Sequence, residues 1–217
     1  MVMALKLHLQ ISGPLENNVI ILHDEDVGEG MLFDPSFDPD KVLSVVDSQK
    51  ISITTILFTH GHFDHFAGLA FLLTTLNPTP RVALHPGDLD LWRQGGGSVQ
   101  FRIPIQSPTD PDLLLEHEQN LSLGKYEIEV RHTPGHSPGS VIFHIPAIQT
   151  AIVGDLIFRR GVGRTDLNGG SFSELRNSIE TQVYTLSPDT ILIPGHGPNT
   201  TVADEMRYNP YVGIEAQ

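Results

Sequence analysis

The 217-residue sequence predicts an α/β protein in which two β-sheets carry helices on their outer faces. Three observations point to that class. Strand-like and helix-like stretches alternate through both halves of the chain, so the sheets must be covered by helices. Each half also contains an antiparallel-looking run of short strands, one at the N-terminus and one from Tyr126 to Val153. No tract rich in Pro, Gly or Ser is long enough to separate two domains, and the QGGGS run at Gln94–Ser98 reads as a surface loop. Residues 1–217 are therefore expected to form a single domain.

The elements follow in order. Leu5–Ile11, Asn18–His23 and Gly30–Asp34 are short apolar or alternating runs broken by Gly-Pro and Asp/Gly clusters, hence a meander. Asp38 is the N-cap and Pro39 the first residue of a helix whose apolar face is Val42, Val45 and Val46. Ile51–Thr59 is a buried strand rich in β-branched residues. Leu69, Leu72, Leu73 and Leu76 have helical spacing and predict a helix ending before Asn77-Pro78. Arg81–His85 reads as a strand, and Tyr126–His132 alternates apolar and charged residues as a half-buried strand should. Val141–Ile145 and Ala151–Val153 are further strands. Ser171 and Glu174 predict a capping box for a helix buried through Leu175, Ile179, Val183 and Leu186. Thr190–Ile193 is the last core strand, and a terminal helix covers Val202 to Tyr208.

Composition narrows the function classes. Cysteine is absent, which excludes disulfides, thiolate-ligated metal and a cysteine nucleophile. Thirteen basic against 26 acidic residues give a formal charge of −13, which repels phosphate backbones and argues against nucleic-acid or anionic-membrane partners. No stretch has the length of a membrane-spanning helix, and MVMALKLHLQISG lacks the layout of a signal peptide. A cytoplasmic location is the expectation.

Histidine is the outlier, with 11 residues, several of them in glycine- or aspartate-rich turns. Thr59-His60-Gly61-His62-Phe63-Asp64-His65 packs imidazole and carboxylate ligands, the types that suit zinc and related divalent ions, behind one strand. Gly61 lets the backbone turn, so that His60 and His62 can reach one ion while Asp64 and His65 reach another. His136 in HTPGHSPG, Asp155 in AIVGDL and His196 in ILIPGHGP each follow a predicted strand, and each is preceded by glycine. Positions just beyond the carboxyl ends of strands are where α/β folds place ligand sites.

THGHFDH, PGHS, GDLIF and PGHGP, in that order and spacing, resemble the metallo-β-lactamase superfamily over nearly the whole chain. The resemblance implies a four-layer αβ/βα sandwich with the site at one edge. It implies one ion on His60, His62 and His136, a second on Asp64, His65 and His196, and Asp155 bridging. The cofactors implied are two divalent metal ions, zinc first, with iron or manganese as alternatives. Ions about 3.5–4 Å apart hold a bridging hydroxide near neutral pH, which would attack an electron-poor carbonyl. Asp64 is the candidate catalytic residue, orienting that water or moving its proton.

The segment after Asp155, GDLIF then Gly161-Val162-Gly163-Arg164-Thr165-Asp166-Leu167, resembles the short members of the glyoxalase II branch. That resemblance implies a hydroxyacylglutathione hydrolase-like thioester hydrolase, releasing an acid and a thiol from a small-molecule substrate. Arg164, the implied substrate-binding residue, stands where longer members place a glutathione-holding lysine, while Asp166 replaces a tyrosine. The sequence after His196 is too short for their C-terminal glutathione-binding helical domain. The alternative is a persulfide dioxygenase, which shares GRTD and needs one iron on His60, His136 and Asp155; lactonase and β-lactamase activities rank lower. Among the other histidines, His132 is expected to orient the loop before His136, and His85 carries no ligand mark. His8, His23, His117 and His144 are read as surface or satisfied core residues. Trp92 and the Gln94–Ser98 loop are either walls of the access route or plain surface.

Overall fold

The computed structural model describes residues 4–103, 105 and 107–214, so the two ends of the expected 1–217 domain lie outside the described residues. Two six-stranded sheets stack face to face. The first runs in sequence order through β1 (Leu5–Ser12), β2 (Asn17–Asp24), β3 (Glu29–Phe33), β4 (Ser52–Leu57), β5 (Arg81–Leu84) and β6 (Leu113–Leu114). Its first three strands are the expected antiparallel meander, and β3 to β6 are parallel. The second sheet contains β7 (Asn120–Leu123), β8 (Tyr126–His132), β9 (Val141–Ile145) and β10 (Thr150–Gly154), then β13 (Ile191–Pro194) and β14 (Thr200–Thr201). Only β10 and β13 pair in parallel there. A separate hairpin joins β11 (Ile157–Phe158) to β12 (Gly161–Val162).

Alternation along the strands produces the layers. In β2, Ile20 and Leu22 face the other sheet and pack with Phe33, Leu57, Val130, Phe143 and Ile152. Val19 and Ile21 point the opposite way, under α1 (Pro39–Gln49) through Val42 and Val46 and under α3 (Leu69–Thr75) through Leu69 and Leu72. On the second sheet, Ile142, Ala151 and Val153 carry α5 (Phe172–Ser178) through Leu175 and α6 (Val202–Tyr208) through Val202. The order is helix, sheet, sheet, helix, the predicted αβ/βα sandwich. Each large side chain fully buried in these layers contributes roughly 1.5–3 kcal/mol from removal of apolar surface.

Local chemistry moves several boundaries. β4 stops at Leu57 rather than Thr59, because Thr59 N–H donates to Asp34 Oδ1 at 2.8 Å instead of continuing the ladder. Asp38 occupies the N-cap of α1, but its carboxylate accepts from Gly13 N–H at 3.0 Å and meets Lys41 Nζ at 2.8 Å, not the helix's own amides. Only half of the capping box forms. Ser171 Oγ accepts from Glu174 N–H at 3.4 Å, while Ser171 N–H donates to Gly135 O at 2.8 Å and ties the helix start to the His136 loop. Beyond Ser178 the helix widens into a π-helical segment, Ile179–Val183, that keeps Ile179 and Val183 buried. Trp92 is fully buried, its ring 4.8 Å from Phe58 and 4.7 Å from Phe66, so it is core rather than a wall of the access route. No helix among the described residues is long and apolar enough to cross a membrane.

Phe33 and Phe143 meet across the two sheets, edge to face at 5.1 Å. Replacing Phe143 by Ala leaves a cavity there, and urea unfolding should register a loss of about 3–5 kcal/mol. A loss below about 1 kcal/mol would mean that the sheets do not share this core.

Candidate metal centre

The sheets are stitched together at one edge. Asn18 N–H at the start of β2 donates to Gly195 O beyond β13 at 2.7 Å, and Val141 N–H donates to Thr59 O at 2.8 Å, while within the second sheet Gly195 N–H donates to Gly154 O at 2.8 Å. The loops that leave β4, β8, β10 and β13 therefore open onto one hollow. His60 and His62 lie on the loop after β4, and Asp64 and His65 on the single-turn helix α2 (Phe63–Phe66). His136 comes from the β8–β9 loop, Asp155 from just past β10, and His196 from just past β13. All seven residues singled out in the sequence converge there.

They do so with their ligand atoms close together. The sets His60–His62–His136, His60–His65–Asp155 and Asp64–His65–His196 each offer atoms within 4.8 Å of one another. His62 Nδ1 is 2.9 Å from His136 Nε2. Asp155 lies between the two clusters: Oδ1 is 3.6 Å from both His65 Nε2 and His196 Nε2, and Oδ2 is 3.8 Å from His136 Nε2. Glycine makes this approach feasible. A Cβ at Gly195 would collide with Asp155 Oδ1 and His65 Cε1, and Gly154 has φ +52 with Thr59 Oγ1 2.5 Å from where its Cβ would sit.

The ring nitrogens of His136, His196, His60 and His65 that face away from the hollow meet protein oxygens. His136 Nδ1 is 2.9 Å from Arg164 O, and His196 Nδ1 is 2.7 Å from Leu15 O. Both carbonyls accept, so both rings carry Nδ1–H and turn Nε2 inward. His60 Nδ1 is 3.0 Å from Thr59 Oγ1, whose own hydrogen goes to Asp34 Oδ2 at 2.7 Å; His65 Nδ1 lies 3.1 Å from that same oxygen. The atoms facing inward are short of partners: His60 Nε2, His65 Nε2 and Asp155 Oδ1 are buried without a protein hydrogen bond. Buried polar atoms in that state are costly unless something else satisfies them. A divalent cation fits this donor set of imidazole nitrogen and carboxylate oxygen.

The electrostatics agree. Burial, reinforced by the other imidazoles, holds His60 well below the ordinary histidine value and His62 at about 3, so both present a neutral lone pair. His65 goes the other way. Burial opposes its charge, but Asp64, Asp34 and Asp155 overcome it and raise the ring to about 10. Asp64 is likewise held below the carboxylate range, against its burial, by His65, His196 and a 2.8 Å hydrogen bond from Asn17 Nδ2. The carboxylates thus demand positive charge in the hollow, which a metal ion would supply in place of the proton on His65.

The hollow is a cavity of about 240 Å³, lined beside these groups by Leu15, Phe63, Phe101, Arg164 and Leu167. A larger hollow of about 430 Å³ lies between α1 and α3, but it lacks any histidine and is remote from these groups. Arg164 sits at the mouth, its guanidinium held by Asp166. His132 Nε2 meets Pro138 O at 2.8 Å and its ring stacks on His85 at 4.0 Å, so both brace the loop after His136 without facing the cavity. His144 pairs with Glu129 at 3.2 Å, and His23 is buried in β2 beside His8.

Three organising residues escaped sequence reading: Asn17, Asp34 and Asp88. Asp88 is fully buried and accepts from Gly61 N–H at 2.8 Å, Ser137 Oγ–H at 2.7 Å and Gly139 N–H at 2.6 Å. It clamps the loop of His60 and His62 against the loop of His136. Asp88→Ala should weaken metal binding about 10–100-fold in a chelator competition titration, the range typical of residues that orient ligands. Unchanged affinity in a folded variant would contradict the clamp.

Comparison with known proteins gives the same assignment. Residues 12–196 match the model of the metallo-beta-lactamase superfamily. The chain is 33% identical to the probable metallo-hydrolase YqgX of Bacillus subtilis (strain 168), over 92% of this chain and 94% of that one. It is 30% identical to the hydroxyacylglutathione hydrolase GloC of Haemophilus influenzae, over 93% of this chain and 95% of that one. The BLEG-1 B3 metallo-beta-lactamase structure superposes with a TM-score of 0.89 at 33% identity, covering 95% of this chain and 99% of that one. TTHA1623 in a di-iron-bound form superposes with a TM-score of 0.83 at 35% identity, covering 94% and 99%. Family match, fold and converging histidines agree: this chain belongs to the metallo-beta-lactamase superfamily and is a metallo-hydrolase with His/Asp groups placed to bind metal.

Proposed function

We propose that this metallo-hydrolase is a dinuclear thioesterase, cleaving a small hydroxyacyl thioester to an acid and a thiol. The observation that carries the dinuclear part is Asp155, whose two oxygens lie toward different histidine clusters while Oδ1 has no protein partner. His60, His62 and His136 would hold one ion and Asp64, His65 and His196 the other, with Asp155 between them. Divalent metal bound there would supply an activated water at neutral pH and a Lewis acid for the substrate carbonyl. Zinc and iron both suit these ligands, and TTHA1623, 35% identical, has a di-iron-bound form.

The chain's own side chains divide the remaining work. Asp64 Oδ2 accepts from Asn17 Nδ2, which fixes the carboxylate plane. Its other oxygen is assigned to orient the attacking water and take its proton. His136 and His196 are held in one tautomer by Arg164 O and Leu15 O, so neither ring has to reorganise during turnover. Leu15, Phe101 and Leu167 exclude water from one side of the cavity and leave room for the acyl or thiol chain.

Support for the thioester comes from the likeness to hydroxyacylglutathione hydrolase GloC and from the GDLIF–GVGRTDL segment. A second reading, β-lactam hydrolysis, draws on the likeness to BLEG-1. A chelation and reconstitution experiment on a panel of thioesters, lactones and a β-lactam separates them. Thioester hydrolysis should disappear on dialysis against a chelator and return with zinc or ferrous iron. Asp155→Asn should lower kcat at least a hundredfold without unfolding the chain, an effect of the size seen when one electrostatic stabiliser of a transition state is lost. β-Lactam turnover exceeding thioester turnover would replace this reading with the second.

A further inference from the structure

The hairpin between Asp155 and Arg164 joins two parts of the metal centre and has little of its own to hold it in place. Asp155 precedes β11, and β12 runs into Gly163 and Arg164, whose carbonyl accepts from His136 Nδ1–H at 2.9 Å. A Cβ at Gly163 would overlap Asp155 O and come within 3.3 Å of His136 Nδ1, so the chain passes tightly behind both ligands. The Phe158 ring lies 6.4 Å from that of His196. Any shift of the hairpin is therefore passed to the ligands. Yet its strands are two residues each and, among the described residues, pair with each other alone. A lone two-stranded hairpin is marginal even at greater length.

Its turn is held instead by the C-terminal helix. Glu205 of α6 is fully buried. Its Oε2 accepts from Arg160 N–H at 2.9 Å and from Asn209 Nδ2 at 2.8 Å. Its Oε1 accepts from Thr200 Oγ–H and lies 3.4 Å from Arg160 Nη1. Asn209, 1% exposed, also donates from Nδ2 to Gly161 O at 2.9 Å, and its Oδ1 accepts from Tyr211 N–H at 3.0 Å. Arg160 has φ +65, a conformation that side chains disfavour and that persists where surrounding bonds impose it. Burying a carboxylate is costly unless its oxygens are used, and these are used on the hairpin, β14 and Asn209. Neither Glu205 nor Asn209 lines the cavity.

We propose that Glu205 and Asn209 are positioning residues for the metal centre. By fixing the turn of the β11–β12 hairpin, they set where Asp155 stands and how His136 is aimed. This role concerns the centre itself and does not depend on the substrate proposed above.

Cobalt(II) bound at the centre gives visible bands that report ligand geometry, so cobalt-loaded protein tests the role without turnover. In Glu205→Gln an amide N–H₂ replaces one acceptor at a junction supplied with donors, and the turn must move. The bands should shift in position or intensity, and cobalt affinity should fall about tenfold in chelator competition, the lower end of the effect of losing a ligand's support. Asn209→Ala breaks the junction from its other side and should change the bands in the same way. Phe143→Leu, in an apolar cluster separate from the hairpin's, should lower the urea midpoint and leave the bands unchanged. Bands and affinity unchanged in either folded junction variant would overturn the role. So would equal changes in Phe143→Leu, because general loosening would then explain them. If the parent protein binds no cobalt, the metal centre fails and this role with it.

Discussion

Carboxylates and imidazoles buried at close range are tolerated only when opposite charge and hydrogen bonds reach every one of them, and the seam between the two sheets is arranged to meet that demand. Asp64, Asp155 and Asp34 bring negative charge into a region where His60 and His65 are almost completely enclosed. The outward nitrogens of His136 and His196 spend their hydrogens on backbone carbonyls, and His60 and His65 share Thr59 and Asp34. His60 Nε2, His65 Nε2 and Asp155 Oδ1, which lack a protein hydrogen bond, point inward. The same inward set that would be a defect in an ordinary core becomes, with divalent metal present, a site that activates water.

Holding that set requires both sheets at once. Asn17 and Asn18 begin β2 in the first sheet, yet Asn17 bonds Asp64 while Asn18 Nδ2 donates to Pro194 O and Gly197 O on either side of His196. Asp88, at the start of the short helix α4 (Leu89–Arg93), reaches across to the β8–β9 loop. Burial raises the pKa of Asp88, and its three hydrogen bonds oppose that shift. These contacts link the packing of the sandwich to the chemistry, because each histidine cluster draws residues from both sheets and sliding one sheet on the other would break up both clusters.

Much of this was legible from residue order. The period-2 alternation of Tyr126–His132 and the helical spacing of Leu69, Leu72 and Leu73 gave elements that the structure contains, because their burial depends on a local pattern. The ligand positions were legible for a similar reason: His136, Asp155 and His196 each follow a strand and a glycine, while His60, His62, Asp64 and His65 crowd one short segment, and neither signal needs a distant partner to be recognised. The remainder depends on contacts far apart in the chain. Asp88 reads locally as a residue of a His-Pro-Gly-Asp turn, and Asp34 before Pro35 reads as a strand end; neither reveals that it will bond Gly61 or Thr59. β6, β11, β12 and β14 are two residues each, too short to show any periodicity. Ser171 N–H was spent on Gly135 because tertiary packing brought that carbonyl within reach, a competition that a capping motif does not reveal.

In the proposed dinuclear centre, Asp155 would lie between two ions held by separate histidine clusters. Anomalous diffraction from crystals of the metal-loaded protein locates those ions. Two peaks are expected, one beside His60 Nε2, His62 Nδ1 and His136 Nε2, the other beside Asp64, His65 Nε2 and His196 Nε2, with Asp155 in reach of both. A single peak, or peaks that leave His136, Asp155 and His196 unbound, would contradict that arrangement.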